Sequence, residues 1–360
     1  MRIIQFIDSL SIGGSERMAV NISNVLAKDG HNVLLISSRE KGPLLNFLES
    51  NVNFYFLGKK NSLDIFAFLK LIKLIIRFNP EVIHAHSSSV YWCLIIKQLL
   101  KFRFNLIFHD HYGLSENLQN KDRRLLRLLS RNLYGCIAVN NRLVTWAKNN
   151  LLINPNQILL INNFSFLKPS NIEKTIDNSA YLTILCLANF RPQKDHLTLI
   201  RAIDLLSQLN SENSFKVLLA GEFFHDAYFH SIVNEIGSRN LESIIKILGP
   251  IDNVSDLLLS SDIGVLCSIS EGLPVSLLEY GLAGLAVVVT DVGQCSEVVG
   301  HGEFGKIVEP NDSEALAETL LDLINQTDKR INLGKKLKSE IEKNYGPQMF
   351  LDKYYPLLSY

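Results

Sequence analysis

The 360-residue chain has few cysteines and none of the paired spacings that build a metal or disulfide framework. Its five cysteines are scattered, four of them within apolar runs: Cys93, Cys136, Cys186, Cys267 and Cys295. Zinc sites and disulfide-stapled folds use closely paired cysteines, so neither organises this fold. We expect buried thiols in a reducing compartment.

Long apolar runs are also missing. No uninterrupted apolar stretch approaches the roughly 18 residues that a membrane span needs. The segment MRIIQFIDSLSIGG has a short apolar run followed at once by Asp8 and a glycine turn, which predicts a first strand rather than a signal peptide. There are no short-period repeats, low-complexity tracts or heptads. We expect a cytoplasmic protein.

The net charge of zero conceals two oppositely charged halves. Residues 1–165 hold 20 basic and 10 acidic side chains, or +10, and the other 195 residues hold 16 and 26, or −10. A basic half favours an anionic partner or surface. Nucleic acid is not expected as that partner, because the aromatic stacking platform of such proteins is not evident.

Short apolar runs alternate with longer amphipathic stretches along the whole chain, which is typical of βα units around parallel sheets. A polar stretch at residues 164–181 separates two such series, and the length suits about two cores. The sequence therefore predicts an α/β protein with two Rossmann-like, doubly wound domains, residues 1–165 and 166–344. The predicted strands are 3–7, 33–37, 54–57, 82–86, 106–109, 136–139, 158–161, 182–187, 216–220, 244–248, 263–267, 286–290 and 306–308.

Two glycines, Gly13 and Gly14, lie between the first predicted strand and a helix. Glycines in such a turn let the main chain approach a ligand, and the helix amides then face a phosphate or a sugar. The sequence is not GxGxxG, and no acidic residue follows where a dinucleotide site needs one. A plain βα turn explains the two glycines equally well.

The stretch EGLPVSLLE at residues 271–279 follows a predicted strand and enters a helix whose first turn suits Pro274. Free amides at the start of that helix, with the helix dipole, would cradle a phosphate. Glu271 stands before the cradle, within reach of a sugar hydroxyl, and Glu279 offers two carboxylate oxygens to ribose hydroxyls. The alternative is a helix capped by one glutamate, with the other solvated.

The stretch NFRPQK at residues 189–194 comes directly after predicted strand 182–187. It carries two cations, Arg191 and Lys194, with Pro192 between them. At the exit of a strand these cations would neutralise a departing diphosphate. Ordinary surface charge is the alternative.

Histidines close two successive predicted strands, first His84 with His86 and then His109 with His111. Residues two apart on a strand share a face, so each pair would project together at a sheet edge. That arrangement suits a metal ion, a sugar hydroxyl or a general base. Neither pair has an obvious partner spacing for a metal, so we expect hydrogen bonding at a ligand site, at least for His111.

Two stretches in the first half predict basic amphipathic helices, residues 66–78 and 121–131. Their basic stripes are Lys70, Lys73 and Arg77, and Arg124, Arg127 and Arg131, respectively. Such stripes are typical of membrane-surface elements and also of solvated faces on core helices. The charge of +10 favours peripheral contact with anionic lipid at the inner face of a cell membrane.

The order of these pieces resembles the family of retaining GT-B glycosyltransferases typified by bacterial polysaccharide and lipopolysaccharide sugar transferases, the glycosyltransferase family 4 or group 1 type. The resemblance covers nearly the whole chain and is strongest over residues 182–323. It depends on GGSER, LANFRPQKD, LLAGE, IKILGP, SISEGLPVSLLEYGLAG, VVVTDVGQCSEVV and GKIVEPND, in that order. It implies a GT-B fold with two Rossmann-like domains facing across a cleft. The first domain would bind the acceptor and the second the nucleotide sugar, and a helix at about 345–360 would return to the first.

The resemblance also implies roles by position. Gly13 and Gly14 match a loop that contacts the donor sugar and phosphate, Lys194 a diphosphate-binding lysine, Glu271 a glutamate on the transferred sugar, Glu279 a ribose-binding glutamate, and His111 a histidine near the anomeric centre. The remaining donor-binding residues would be Asn189, Arg191, Gly272, Leu273, Pro274, Val275 and Ser276. Many relatives have Gly-Arg before the lysine, where this chain has Ala188-Asn189. We therefore expect Arg191 to supply the second cation.

The implied activity is transfer of a sugar from a nucleoside diphosphate sugar to a hydroxyl of a saccharide or lipid-linked saccharide, with retained configuration, in bacterial surface polysaccharide synthesis. The catalytic residues would be Glu271, His111, Lys194 and Arg191. Because protein cations and amides would stabilise the phosphate charge, we expect no metal and no cofactor. The alternatives are a GT-B epimerase or phosphorylase and a non-catalytic GT-B scaffold subunit.

Overall fold

The computed structural model describes residues 1–100, 102–112, 118, 123–167, 181–209, 215–251 and 253–358. The chain forms two compact units. Unit 1 consists of Met1–Phe164 and Pro347–Tyr360, and unit 2 of Ser165–Gly346. Most of the polar stretch predicted to link the two domains lies outside the described residues.

Unit 1 contains a parallel sheet. Its described strands are β1 Arg2–Ile7, β2 Asn32–Ser37, β3 Asn53–Phe56, β4 Val82–His86, β5 Asn105–Asp110, β6 Gly135–Ala138 and β7 Ile158–Leu160. They lie in the order β3-β2-β1-β4-β5-β6-β7. Every neighbouring pair is parallel. The direction of winding reverses between β1 and β4, and ligands of such sheets bind beyond the carboxyl ends of the strands at this switch point.

Unit 2 contains a second parallel sheet of the same kind. Its described strands are β8 Leu182–Leu187, β9 Phe215–Ala220, β10 Ile245–Gly249, β11 Ile263–Leu266, β12 Ala286–Thr290 and β13 Lys306–Val308. Their order is β10-β9-β8-β11-β12-β13, again parallel throughout. Its switch point lies between β8 and β11.

Helices cover both sheets. Those of the described residues are α1 Gly14–Lys28, α2 Ile65–Phe78, α3 Val90–Leu100, α4 Arg124–Leu129, α5 Asn141–Asn150, α6 His196–Leu209, α7 Ala227–Ser238, α8 Ser255–Leu259, α9 Val275–Leu282, α10 Cys295–Val298, α11 Ser313–Asn325, α12 Thr327–Asn344 and α13 Pro347–Leu358. Among them, none combines the length and the apolar character needed to cross a membrane.

Tyr280 fixes α9 against the sheet of unit 2. Its ring occupies the space that a side chain at Gly264 on β11 would need, because a Cβ there would lie 2.6 Å from the ring. The Tyr280 hydroxyl accepts a hydrogen bond from the backbone N–H of Leu187 at 2.6 Å and lies 3.2 Å from the carbonyl oxygen of Leu185. Tyr280 therefore fixes α9 against β8 and β11, the two strands that form the switch point.

Helix α13 completes the core of unit 1. Phe350 packs on Phe164, with 5.1 Å between the ring centroids. Further along the helix, Leu357 lies so close to Gly135 on β6 that a Cβ there would be 2.7 Å from its methyl carbon. Between these contacts Tyr354 is fully buried. The last described helix is thus an integral layer of the unit that contains β1.

Candidate functional site

In unit 2 the loops that follow β8 and β11 meet at the switch point. The first forms a short 3-10 turn, Pro192–Lys194. The backbone N–H of Ile269 donates to the carbonyl oxygen of Gln193 at 2.9 Å. The Cys267 thiol lies 3.3 Å from the carbonyl oxygen of Lys194. These contacts fix the lysine relative to the second loop.

Lys194 and Glu271 form an ion pair at this junction, with the ammonium donating to Oε1 of the carboxylate. Ser268 donates to the same oxygen at 2.7 Å. Glu271 is only 5% exposed. A buried carboxylate is unfavourable unless its charge is compensated, and the lysine and serine provide that compensation. The structure therefore brings together two residues that are 77 positions apart.

The backbone around Glu271 is supported by a glycine on the neighbouring loop. Gly293 has a φ of +56°, and a Cβ there would lie 2.4 Å from the carbonyl oxygen of Glu271 and 2.6 Å from that of Gly272. The N–H of Gln294 donates to the Gly272 carbonyl at 3.0 Å. Only glycine combines this close approach with a left-handed backbone.

Helix α9 begins directly after this segment. Pro274 has an extended ψ of 123° and precedes the first helical residue, Val275. The sequence-based position of Pro274 within the first turn was therefore wrong by one residue. Leu273 is buried and Ser276 is partly buried. The unbonded amides and positive dipole end of a helix start favour an anion.

Glu279, one turn into α9, is 5% exposed and accepts a hydrogen bond from the Ser165 hydroxyl at 3.1 Å. Glu271 is equally buried. The alternative of a surface helix with one capping and one solvated glutamate is therefore wrong, because neither carboxylate is in solvent. Two buried carboxylates at the start of one helix are suited to polar ligand groups.

The structure does not bring Arg191 into this ion pair. Its side chain is exposed, and among the described residues its guanidinium has no ion pair or side-chain hydrogen bond. Asn189 has a structural contact instead, since its side-chain oxygen accepts from the N–H of Glu222 at 3.0 Å. That bond joins the loop after β8 to the loop after β9.

In unit 1 the two glycines lie in the predicted turn after β1. Gly13 immediately precedes α1 and Gly14 begins it. A Cβ at Gly13 would meet the Glu16 carboxylate at 2.3 Å, and the Ser15 hydroxyl donates to that carboxylate at 2.8 Å. The turn is thus occupied by an acidic side chain close to the first amides of the helix.

The histidines of unit 1 form two hydrogen-bonded pairs on one face of the sheet. His84 contacts Nδ1 of His109 through Nε2 at 3.0 Å and the Tyr354 hydroxyl through Nδ1 at 3.1 Å. His86 contacts Nε2 of His111 through Nδ1 at 3.1 Å. These contacts extend from β4 to the end of β5 and to α13.

The histidines do not lie at an open sheet edge as the sequence suggested, because α13 covers them and leaves His84, His86 and His109 fully buried. Burial lowers the pKa of His84 and of His111 to about 3. It lowers the pKa of His86 and of His109 well below 6.5. All four rings are therefore neutral at pH 7.

Ring nitrogens of His84, His86 and His109 lie within 4.8 Å of one another, so these three residues could hold a metal ion. Hydrogen bonds already use both nitrogens of His84 and of His86. Nε2 of His109 has no hydrogen-bond partner among the described residues. Hydrogen bonding therefore explains why these histidines lie together.

Sequence reasoning missed four residues that hold these sites. Ser268 stands three residues before Glu271, and Gly293 lies in the VVVTDVGQ motif, so both had a local signal. Gln5 is the single polar side chain of β1 that is buried among apolar neighbours, which is also a signal. Tyr354 had none, because its contact is 270 residues distant.

Residues 168–340 match the protein-family model described as Glycosyl transferases group 1. Residues 12–164 match the model described as Glycosyltransferase Family 4. The two matches include nearly all of the chain. The protein belongs to this family of glycosyltransferases, as the motifs predicted.

Relatives of known name are similar over almost their whole length. The chain is 24% identical over 363 residues to the N-acetyl-alpha-D-glucosaminyl L-malate synthase of Bacillus anthracis, with 96% of this chain and 93% of the relative covered. It is 24% identical over 367 residues to the UDP-Gal:alpha-D-GlcNAc-diphosphoundecaprenol alpha-1,3-galactosyltransferase of Escherichia coli, with 95% and 92% covered.

Among solved structures, HepE of Anabaena in complex with UDP-glucose has a TM-score of 0.82 and 18% identity, with 100% of both chains covered. The α/β GT-B fold predicted from the sequence is confirmed.

Proposed function

We propose that this protein is a retaining glycosyltransferase that moves a sugar from a nucleoside diphosphate sugar to a hydroxyl of a saccharide or lipid-linked saccharide. We place it in the synthesis of a bacterial surface polysaccharide. The observation that carries this proposal is the buried Lys194–Glu271 pair beside the start of α9. The names of the relatives, which specify a UDP-galactose donor and a diphosphate-lipid acceptor in one case, support it.

In this proposal the diphosphate binds to Lys194 and to the first amides of α9. Negative charge grows on the diphosphate as its bond to the anomeric carbon breaks, so a fixed cation there stabilises the transition state more than the ground state. The amides of Gly272 to Ser276 would lie near the sugar and phosphates. Glu271 would bind a hydroxyl of the transferred sugar, and Glu279 the ribose hydroxyls.

Retention would follow from attack on the face that the diphosphate leaves. The acceptor oxygen bonds to the anomeric carbon, the bond to the diphosphate breaks, and the acceptor proton passes to a departing phosphate oxygen. His111 would hydrogen-bond the sugar, and the Gly13–Gly14 turn would contact the donor. Arg191 would engage the diphosphate only when the donor is bound. The step needs no metal ion or cofactor, because Lys194 and the amides stabilise the phosphate charge.

The proposal is tested first by binding. Nucleoside diphosphate sugars, beginning with UDP-glucose and UDP-galactose, are screened by thermal shift, because a ligand that binds the native state raises the melting temperature. The best donor is then titrated by calorimetry into the wild type, Glu271→Ala and the surface control Glu303→Gln. We expect binding to be lost only in Glu271→Ala. Absence of donor binding in the wild type would instead favour the scaffold alternative.

Turnover is measured with lipid-linked saccharides as acceptors. Nucleotide release that requires the acceptor separates transfer from epimerisation. Wild-type turnover in Glu271→Ala would overturn the site assignment. The anomeric configuration of the product, read by NMR, decides between retention and inversion.

We also propose that unit 1 contacts an anionic membrane. Helix α2 exposes Ile65, Phe66, Leu69 and Ile76, at 69%, 81%, 49% and 59% of their surfaces. The same helix exposes Lys70, Lys73 and Arg77. Helix α4 and the turn after it repeat the combination, with exposed Leu125 and Leu128 beside exposed Arg124, Arg127 and Arg131. Apolar side chains flanked by cations favour the interface of an anionic bilayer.

A further inference from the structure

The buried polar row beneath α13 connects β1 to His111. In the register of the sheet Gln5 is the Cα partner of His84, and His86 is the partner of His109. Partners on parallel strands point to the same face of a sheet. Gln5 is fully buried there, and its side-chain oxygen lies 2.8 Å from Nε2 of His86. An unbroken hydrogen-bonded path thus runs from Gln5 through His86 to His111.

Each ring on this path is neutral, so one of its nitrogens carries a proton and the other is unprotonated, or bare. The Gln5 oxygen can only accept, so Nε2 of His86 must carry the proton and its Nδ1 must be bare. Bare Nδ1 of His86 can only accept, so Nε2 of His111 must donate to it across the 3.1 Å contact. Nδ1 of His111 is then the bare nitrogen.

The orientation of the Gln5 amide decides the whole path. If the amide were rotated by 180°, each donor and acceptor would exchange, and Nδ1 of His111 would carry the proton. The amide nitrogen of Gln5 has no hydrogen-bond partner among the described residues. The 2.8 Å contact to Nε2 of His86 is made by the side-chain oxygen of Gln5, so the structure has the amide in the orientation that leaves Nδ1 of His111 bare.

The other histidine pair is separate from this path. The chain from Tyr354 through His84 ends at His109, and no hydrogen bond between described residues joins it to His111. Among the residues that the structure describes, the tautomer of His111 therefore depends on Gln5 and His86.

We propose that Gln5 is a positioning residue that, through His86, holds His111 in the tautomer with a bare Nδ1, ready to accept a hydrogen bond from a hydroxyl of the sugar substrate. The identity of that hydroxyl rests on the proposed function, but the assignment of the tautomer does not. A bare imidazole nitrogen selects a hydroxyl donor, whereas an N–H would select an acceptor such as a phosphate oxygen.

The test is NMR of the full chain labelled with ¹⁵N in its histidines, because couplings from the ring carbon protons identify the bare nitrogen of each imidazole. In the wild type we expect bare Nδ1 in both His86 and His111. In Gln5→Met, a replacement of similar size, Nε2 of His86 loses its acceptor. A buried unpaired N–H is unfavourable, so we expect both rings to move toward the opposite tautomer. Asn21→Leu is the matched control, since it removes another buried amide of unit 1.

Kinetics give the second readout. Gln5→Met should lower kcat by about tenfold with little change in the donor KM, the effect of losing one hydrogen bond to the reacting complex. Asn21→Leu should leave both unchanged. A wild-type His111 with a proton on Nδ1 overturns the proposal even if no variant folds, and so does a Gln5→Met spectrum that retains the wild-type tautomers. If the tautomers behave as expected but no nucleotide sugar is turned over, the proposed function fails. The role of Gln5 in setting the tautomer of His111 then still stands.

Discussion

The hydroxyl oxygen of Tyr354 lies 3.1 Å from Nδ1 of His84, although the two residues are 270 positions apart. This contact joins α13 to β4 at the centre of unit 1. Both side chains are fully buried, so the hydroxyl satisfies a ring nitrogen that water cannot reach. The integrity of the histidine network thus depends on the last helix.

Tyr354→Phe should therefore destabilise the protein by about 1–2 kcal/mol, because it leaves a buried ring nitrogen unpaired. The free energy of unfolding in urea measures this. Tyr355→Phe is the control on the same helix; its hydroxyl bonds Asp29 at an exposed position, so its effect should be smaller. Equal effects of the two variants would show that burial of the Tyr354–His84 hydrogen bond contributes nothing to the free energy of unfolding.

Mild acid should destabilise unit 1. The pKa of each buried histidine is depressed below 6.5, to about 3 for His84. As pH falls below 6.5 the unfolded chain takes up protons that the native state does not bind, so stability decreases down to the folded pKa and is unaffected above 6.5. The loss is at most about 1.4 kcal/mol per pH unit for each such histidine.

Calorimetric melting at pH 7, 6 and 5 tests this, because most carboxylates titrate below that range. His109→Gln removes one of the groups and should give a shallower decrease. A melting temperature that is the same at pH 7 and pH 5 would contradict the burial of neutral histidines.

Variants of the Lys194–Glu271 pair should show that its effect on stability and its effect on donor binding are separable. Lys194→Met should cost about 3 kcal/mol, because it removes the cation that compensates the charge of the buried Glu271 carboxylate. In the double variant Lys194→Met with Glu271→Gln no charge remains, and the free energy of unfolding should return to within about 1 kcal/mol of the wild type. Donor binding should stay absent in both variants. Recovery of donor affinity in the double variant would argue against a phosphate-binding role for the lysine.

Gly293→Ala should weaken donor binding by about tenfold or more, because the new Cβ would displace the carbonyl groups of Glu271 and Gly272, and 1.4 kcal/mol is already a factor of ten. Gly302→Ala in the same unit is the control. It also has a positive φ, of +101°, but a Cβ there meets nothing within 4 Å. Both variants should show backbone strain of about 1–3 kcal/mol. Similar donor affinities, measured by calorimetry, would show that the close approach is unimportant.

The proposed membrane contact predicts that replacing Lys70, Lys73 and Arg77 together by glutamine weakens vesicle binding. Each cation contributes about 1 kcal/mol at an anionic surface, so the loss should be about 100-fold. Co-sedimentation with phosphatidylglycerol vesicles measures it. The control is the triple replacement of Lys335, Lys336 and Lys343 on α12 of unit 2. Failure of the wild type to bind anionic vesicles, or equal losses in both triple variants, would refute the assignment to α2.

The strands were largely predictable from the sequence. The bounds of β4, β8, β12 and β13 agree with the predicted ranges, and the other described strands differ by about one residue at their ends. Parallel strands covered on both faces are continuous apolar runs with polar ends, so their limits are visible locally. For the same reason the positions of Lys194 and Glu271 directly after β8 and β11 were visible in the sequence.

Other features of the sites depend on distant residues. Nothing near His84 indicates that α13 covers it, so the sequence suggested an open sheet edge. Ser165 contacts Glu279 from 114 residues away, which is equally invisible in the motif EGLPVSLLE. Arg191 was grouped with Lys194 by their spacing and by the family resemblance, but the short turn between them leaves the arginine exposed while it turns the lysine toward Glu271.

The position of α13 also has a consequence for synthesis of the protein on the ribosome. Residues 165–346 emerge, and their sheet can close, before Pro347–Leu358 have been made. Unit 1 begins the chain, yet its row of buried histidines stays uncovered until unit 2 has been translated. The unit whose first strand appears earliest is therefore the last to reach its native state.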